Sequence, residues 1–296
     1  MSAEASQVPP SYSRGKQTIL ASLDAGILTI RLNRPGSLNA LSPQLVDELA
    51  ETLDTAAADE DVRVIVLAAA GRAFCAGGDI ELDAIPVSQM TPWQYRLNVE
   101  RFAAPILKIA EIARPVIAAI NGAAVGGGWD LALACDIRIA ARSARFRDAY
   151  VQLGVLAELG GTYFLPRLAG LSRAKIISFT GDFVSAAQAH EFGLVDEVVE
   201  DDQLDRAVGE IAAKIARGPA KAIAMTKLAM NRSLNLNLRD SLDYAQTLAP
   251  PLLASDDFRE ALAAFQERRP PVFQRGAAER QTTVQQTTVQ QTTGGV

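Results

Sequence analysis

The chain of 296 residues is predicted to fold as an α/β protein, and two features of its sequence lead to this prediction. Short apolar runs, glycine-containing loops and helical stretches recur in the order strand, loop, helix and strand, which is typical of this class. Hydrophobic residues make up 49% of the chain and charged residues 21%, so a sizeable core can be buried.

The folded part opens with two strands and a helix. The segments 18–23 and 27–33 are predicted strands, and the tight Asp-Ala-Gly turn between them joins them as a hairpin. Ser42 and Pro43 are typical of the N-cap and the first position of a helix. The apolar face of this helix is formed by Leu45, Leu49 and Leu53.

Three further segments, 64–67, 116–120 and 137–140, are predicted to be strands. The continuous hydrophobicity of 64–67 indicates that this strand is buried in a sheet. A helical stretch around 93–112 separates the first from the second. After the second, the triple glycine at 126–128 opens another helix.

The end of the chain divides into a helical part and a tail. From residue 204 the pattern is helical, and Pro270-Pro271 ends it. The tail repeats QTTVQ and has too few apolar residues to pack. The sequence therefore predicts a disordered arm (1–16), a core (17–203), a C-terminal helical segment (204–273) and a disordered tail (274–296).

Composition narrows the classes of function. The net charge of -5 speaks against a nucleic-acid binder held by phosphate neutralisation. The two cysteines, Cys75 and Cys135, and the one histidine, His190, disfavour a disulfide scaffold, a metal site and a Ser-His-Asp triad. The longest uncharged central stretch, 115–129, is too short to span a membrane, and no secretory signal is visible. We therefore expect a cytoplasmic protein without a metal, a nucleic acid or a membrane as partner.

Two glycine loops follow two of the buried strands, Gly77-Gly78 after the first and 126–128 after the second. Glycine lets a ligand approach the backbone closely and leaves amide N–H groups free. The second loop begins a helix, where the dipole favours negative charge. Two amides that converge on one point would form an oxyanion hole. The alternative is that these glycines only form turns.

Several ordered motifs surround these loops, and with them the sequence resembles the enoyl-CoA hydratase/isomerase (crotonase) superfamily over about 17–273. The resemblance implies a crotonase-like spiral of ββα repeats with a C-terminal helical segment. It also implies an acyl-CoA thioester substrate, no separate cofactor, and a homotrimer or homohexamer. The motifs are LNRPGSLNAL (32–41), GRAFCAGGDI (71–80), PVIAAINGAAVGGGWDLALACDIRIAA (115–141), LGVLAELGGTYFLPRLAG (153–170), AHEFGLVDEVV (189–199) and DDFREALAAFQERRPPVF (256–273).

The resemblance assigns the oxyanion donors to the backbone amides of Gly78 and Gly127. The family's reactions pass through an enolate whose charge falls on the thioester oxygen, and fixed donors stabilise that charge. The acyl group is expected against the segment 82–99. Arg268 stands where relatives carry a basic residue for a CoA phosphate, although a solvated helix charge explains it equally well. Substrate contacts are expected from Ala76, Gly77, Asp79, Ile80, Tyr150 and Arg268.

The acid–base groups differ from those of a typical hydratase of the family, which uses two glutamates. Here Asp130 and Tyr150 occupy those positions, and tyrosine is a poor base near neutral pH. Glu158, eight residues after Tyr150, stands where isomerases of the family carry their single catalytic carboxylate. A 1,3-proton shift needs only one such group, so we expect an isomerase with Glu158 as base.

Each of these two acidic residues also allows a second interpretation. Asp130 could be catalytic, or it could be a first-turn helix residue stabilised by the dipole. Glu158 could be a solvated loop residue. The chain could therefore also be a hydratase, catalyse another crotonase reaction such as ring hydrolysis, or bind acyl-CoA without catalysis.

Overall fold

A computed structural model describes Tyr12 and residues 15–273, and it confirms the α/β class. The strands are β1 Ile19–Asp24, β2 Ile27–Leu32, β3 Val64–Ala69, β4 Ala73–Cys75, β5 Val116–Ile120, β6 Ala123–Val125, β7 Ile137–Ala141, β8 Arg145–Arg147, β9 Phe183–Ser185 and β10 Glu197–Val199. The helices are α1 Pro43–Ala58, α2 Ile85–Val87, α3 Pro92–Glu111, α4 Gly127–Leu133, α5 Gly161–Ala169, α6 Leu171–Thr180, α7 Ala186–Glu191, α8 Leu204–Ala216, α9 Ala220–Ser233, α10 Leu238–Leu253 and α11 Asp256–Glu267.

The strands form two sheets. The larger sheet has the order β1-β2-β3-β5-β7-β10, and only its β1–β2 pair is antiparallel. The smaller sheet has the order β4-β6-β8-β9, with β8–β9 antiparallel. Successive pairs β3–β4, β5–β6 and β7–β8 each place one strand in either sheet, and a helix follows each pair. This alternation is the predicted spiral of ββα repeats.

Local signals in the sequence explain the first elements. Asp24 pairs with Ile27, and the two residues between them, Ala25 and Gly26, both have positive φ, as a two-residue hairpin turn requires. The Ser42 side chain accepts a hydrogen bond from the Leu45 N–H at 3.2 Å and so caps α1. The predicted hairpin and helix start are both confirmed.

The larger sheet separates two apolar clusters. Ile65 and Leu67 of β3 pack into the main core with α1, α3 and α4, whereas Val64 and Val66 face α8. Alternate residues of a strand point to opposite faces, so a strand buried on both faces reads as a continuous apolar run. This explains why the runs at 64–67 and 116–120 carry no polar alternation. In 137–140 the buried Arg138 is the exception, and its guanidinium group donates to the Leu194 carbonyl at 2.9 Å.

The folded core extends beyond the predicted boundaries of 17 and 203 at both ends. Tyr12, inside the predicted arm, is completely buried, and its hydroxyl donates to Asp59 at 2.8 Å. The chain is therefore anchored to the end of α1 before residue 17. Helix α8, assigned by sequence to the C-terminal segment, covers one face of the larger sheet and belongs to the core, because Val208 and Ala212 are buried against it. Of the rest of the predicted arm, only Gly15 and Lys16 are described, and the Lys16 ammonium group donates to the Thr52 hydroxyl at 2.7 Å. The predicted tail lies outside the described residues.

Helices α9 to α11 form the rest of the C-terminal segment. Lys227 of α9 is buried, and its ammonium group contacts Asp136 at 2.7 Å and the Ile109 carbonyl at 3.0 Å. This ion pair attaches α9 to the core. In contrast, α10 and α11 leave large apolar side chains exposed, among them Phe265 at 84%. No helix between residues 15 and 273 is long and apolar enough to cross a membrane.

Candidate active site

The two glycine loops lie in direct contact. A methyl carbon placed on Gly77, whose φ is +95°, would lie 2.8 Å from the Val125 carbonyl oxygen. A methyl carbon on Gly128 would lie 2.3 Å from the Cys75 carbonyl oxygen. Real Cβ atoms do not occur at such separations, so only glycine permits this approach. The glycines are therefore more than turn formers, because they bring the ends of β4 and β6 together.

Each loop leaves one amide free. The Leu41 N–H donates to the Gly77 carbonyl at 2.7 Å, and the Asp79 N–H donates to the Leu41 carbonyl at 2.9 Å. This bridge turns the N–H of Gly78, which lies between them, away from Leu41. Gly127 begins α4, where helix N–H groups lack an internal partner. Neither N–H has an acceptor among the described residues, so both can donate to a ligand oxygen.

A cavity of about 460 Å³ opens beside the first loop. Asp79 fixes its wall, because its carboxylate accepts from the Leu82 N–H at 3.1 Å and pairs with Arg34 at 2.8 Å. Burial acts to raise the pKa of Asp79, but these contacts outweigh burial and hold the pKa below its usual value. The carboxylate is thus occupied in shaping the loop. The cavity is lined by Arg34, Ser37, Ala40, Ala76, Gly78, Asp79, Ile80, Glu81 and Leu82.

Asp130 lies beneath the second loop, and only 3% of it is exposed. Burial raises its pKa to about 7, although the Tyr150 hydroxyl, which donates to Asp130 Oδ2 at 2.6 Å, acts in the opposite direction. Burial and the charge of Asp130 in turn raise the pKa of Tyr150. The Tyr150 hydroxyl would lie 3.6 Å from a methyl carbon on Gly127. Tyr150 therefore connects the buried carboxyl group of Asp130 with Gly127 of the second glycine loop.

Glu158 differs from Asp130 because it is exposed. The Tyr95 hydroxyl of α3 donates to its carboxylate at 2.5 Å. Burial and the contact with Glu158 raise the pKa of Tyr95 to about 12, so the phenol keeps its proton at neutral pH. The charge of Glu158 also adds to the raised pKa of Tyr150, which places the carboxylate within electrostatic reach of that phenol. The Glu158 carboxylate is thus hydrogen-bonded to Tyr95 and remains exposed to solvent near the second glycine loop.

The structure brings most of the predicted site residues together. Ala76, Gly78, Asp79 and Ile80 line the cavity, and Gly77 orders the loop behind it. On the side of the second loop, Tyr150 lies close to the three other predicted residues. It lies near Gly127, its hydroxyl donates to Asp130, and the charge of Glu158 helps to raise its pKa.

Arg268 stands apart from this group. It ends α11 in the left-handed conformation with φ +55° and is exposed. No contact within the described part of the chain joins it to the cavity, so its role toward a CoA phosphate stays a prediction.

Sequence reasoning missed two contributors. It did not connect Tyr95 with Glu158, because the two are 63 residues apart and no motif contains both. It also missed Arg34, which lines the cavity and pairs with Asp79. Arg34 lies within the motif at 32–41, and its side chain could have been proposed from that position.

The remaining reactive side chains do not contribute to this site. Burial raises the pKa of both the Cys75 and the Cys135 thiols to about 12, which disfavours a thiolate nucleophile. His190 Nδ1 lies 3.1 Å from the Val195 carbonyl oxygen, a contact inside the fold. Within residues 15–273 no group of three or more His, Cys, Asp or Glu side chains could hold a metal ion.

Comparison with known proteins gives a family for this fold and site. Residues 22–276 match the family model described as enoyl-CoA hydratase/isomerase. The 1,2-epoxyphenylacetyl-CoA isomerase of Escherichia coli is 38% identical over 256 residues, which cover 86% of this chain and 97% of that protein. The (E)-benzylidenesuccinyl-CoA hydratase of Thauera aromatica is also 38% identical, over 84% of this chain and 95% of that one.

Solved structures agree with the sequence comparisons. The crystal structure of an enoyl-CoA hydratase from Bacillus anthracis superimposes with a TM-score of 0.83 at 36% identity, over 87% of this chain and 99% of that one. A putative enoyl-CoA hydratase from Streptomyces coelicolor gives a TM-score of 0.85 at 32% identity, over 93% of this chain and 99% of that one. With the paired glycine loops and the ββα spiral, these matches show that the chain belongs to the enoyl-CoA hydratase/isomerase (crotonase) family.

Proposed function

We propose that the chain is an acyl-CoA isomerase that moves a double bond along the acyl group by a 1,3-proton shift. The observation that carries this proposal is the contrast between the two carboxyl groups. Glu158 is exposed beside the glycine loops, whereas Asp130 is buried and accepts a hydrogen bond from the Tyr150 phenol. One accessible carboxylate is sufficient for a proton shift, but water addition by the family's two-glutamate route needs two.

The proposed reaction begins with the thioester oxygen hydrogen-bonded to the Gly78 and Gly127 amides. Glu158 removes a proton from the carbon next to the carbonyl, and the electron pair moves into the carbonyl to form a dienolate. The two amides stabilise its oxygen, an effect worth about 10²–10³ in rate for one donor. Protonation at the γ carbon by Glu158 then restores the carbonyl and leaves the double bond between C2 and C3. Every step uses groups of the chain and substrate, so no separate cofactor is proposed.

Tyr95 supports this reaction as a positioning residue. Its hydroxyl donates to Glu158 at 2.5 Å, so it restricts the rotation of a carboxylate that is otherwise exposed. A fixed base samples fewer unproductive orientations, which favours proton transfer in both directions on one face of the substrate.

Water addition is the second candidate, and the pKa of Asp130 near 7 favours it. A carboxyl group with this pKa exchanges protons at neutral pH and could do so through the Tyr150 hydroxyl, to which it is hydrogen-bonded. Glu158 would then activate water while the Asp130–Tyr150 pair supplied the second proton. Several relatives, including the one from Thauera aromatica, are named as hydratases.

Turnover of trans-3-hexenoyl-CoA and of trans-2-hexenoyl-CoA in H₂¹⁸O separates the candidates. From the 3-enoyl thioester we expect 2-hexenoyl-CoA of unchanged mass as the first product, and chromatography with mass spectrometry at early times separates it from its isomeric substrate. No isomerisation of the 3-enoyl thioester, together with addition of one labelled water to the 2-enoyl thioester, would establish the hydratase and contradict the isomerase. Binding of both thioesters without either product would instead indicate a non-catalytic acyl-CoA binder.

The assembly and location are part of the same proposal. The exposed apolar side chains of α10 and α11 support a homotrimer or homohexamer, because patches of this kind on a single subunit normally form an interface. The cytoplasmic location stays a prediction from the sequence.

A further inference from the structure

A half-buried carboxylate, Asp83, stands beside the first oxyanion glycine. A methyl carbon placed on Gly78 would lie 3.2 Å from Asp83 Oδ2, which puts this oxygen within about 5 Å of the Gly78 Cα atom. The other oxygen, Oδ1, accepts a hydrogen bond from the Asn98 side chain at 2.9 Å. Oδ2 accepts no hydrogen bond from the described residues. A carboxylate oxygen that accepts no hydrogen bond from the described residues therefore lies close to the glycine whose amide would bind the thioester oxygen.

The surroundings of Asp83 leave its charge uncompensated. No ion pair joins it to a lysine or arginine within the described chain, whereas the neighbouring Asp79 is paired with Arg34. Burial raises the pKa of Asp83, and the charge of Asp79 adds to this rise. Burial, Glu158 and, to a smaller extent, Asp83 raise the pKa of Tyr95, which places Asp83 close to the Tyr95–Glu158 pair. This side of the site is thus polar and negatively charged. Asp83 and Tyr95 both belong to the segment 82–99, which the sequence predicts to contact the acyl group.

We propose that Asp83 is a specificity-determining residue that favours acyl groups bearing a hydroxyl near the thioester and excludes acyl groups bearing a free carboxylate. The inference rests on the proposed function, because it takes the thioester oxygen to bind the Gly78 amide. The first acyl carbons then lie a few ångströms from Asp83 Oδ2. A hydroxyl of the acyl group donates a hydrogen bond to this oxygen. A plain alkyl chain displaces water from the oxygen without offering a new hydrogen bond, and a carboxylate of the acyl group is repelled by the charge of Asp83.

The test compares CoA thioesters with the same four-carbon acyl skeleton. The probes are butanoyl-CoA, 3-hydroxybutanoyl-CoA, 4-hydroxybutanoyl-CoA and succinyl-CoA, and isothermal titration calorimetry gives each Kd. For the unaltered protein we expect at least one hydroxybutanoyl-CoA to bind about tenfold tighter than butanoyl-CoA. Succinyl-CoA is expected to bind about tenfold weaker than butanoyl-CoA, or not measurably.

Two variants assign these preferences to Asp83. Asp83→Leu should bring the hydroxybutanoyl-to-butanoyl ratio close to one, and Asp83→Asn should abolish the exclusion of succinyl-CoA. Glu100→Gln is the matched control, because it removes one acidic charge from the helix that carries Asn98 but from an exposed side chain that pairs with Arg96. It should leave all four ratios unchanged.

Failure of the inference and failure of the proposed function give different results. If butanoyl-CoA binds but neither hydroxybutanoyl-CoA binds tighter, the role of Asp83 is wrong and the proposed function stands. The role is also wrong if the Asp83 variants keep the ratios of the unaltered protein. If none of the four thioesters binds, the proposed function fails and the inference with it.

Discussion

Replacement of the buried Asp130 by asparagine should make the protein less sensitive to pH. Asp130 is 3% exposed, and burial raises its pKa to about 7 in the folded chain, compared with an ordinary value of 3.8. Asparagine has nearly the same shape but does not titrate. Its carbonyl oxygen can still accept the hydrogen bond from Tyr150, so the packing of the site is retained.

The sign and size of the effect follow from the two pKa values. Between about pH 4 and pH 7 the folded chain keeps the Asp130 proton and the unfolded chain does not. The free energy of unfolding therefore falls as pH rises through this window and levels off above the folded pKa. A difference of about three pKa units corresponds to about 4 kcal/mol. Asp130→Asn lacks this loss. The free energy of unfolding of the variant, relative to that of the unaltered protein, should therefore rise by about 4 kcal/mol from pH 4 to pH 8.

Urea unfolding at a series of pH values measures this difference directly, with the protein concentration held constant because assembly also affects stability. Groups other than Asp130 titrate in both proteins and cancel in the difference. Asp24→Asn, at the exposed end of β1, is the matched control and should show no comparable change. A difference between Asp130→Asn and the unaltered protein that stays constant within about 1 kcal/mol across this range would refute the reasoning.

Three further predictions concern turnover and assembly. Tyr95→Phe removes the hydroxyl that donates to Glu158, so kcat for trans-3-hexenoyl-CoA should fall about tenfold with little change in KM, and an unchanged kcat would contradict the positioning role. Asp130→Asn should lose less kcat than Glu158→Gln on the same substrate, and a larger loss for Asp130→Asn in steady-state assays would contradict the assignment of Glu158 as the base. Light scattering should find three or six subunits of 31.5 kDa, whereas a fully active monomer at micromolar concentration would contradict this assembly.

Elements governed by neighbouring residues were predictable from the sequence. Ser42 and Pro43 indicated the start of α1, and the continuous apolar run at 64–67 indicated a buried strand. The triple glycine indicated both a helix start and a close approach of the backbone, and the contact of Gly128 with Cys75 shows the reason. For Ser42 the physical cause acts within a few residues of the signal, because its side chain caps the first turn of α1.

Contacts between distant residues were not predictable in the same way. The Tyr95–Glu158 hydrogen bond spans 63 residues, and no local pattern selects one tyrosine of a variable helix as its donor. The position of Asp83 depends on how the segment after the first loop folds back over Gly78. Tyr12 illustrates the same limit, because one tyrosine in a polar arm gives no sign of the contacts that bury it.

The turnover of Glu158→Gln tests the central claim most directly. We measure kcat and the Kd of the substrate for trans-3-hexenoyl-CoA, with the unaltered protein as reference. Since a general acid–base group contributes about 10²–10⁴ in rate, kcat should fall by that factor while Kd stays within several-fold. A kcat near that of the unaltered protein would contradict the assignment of Glu158 as the base.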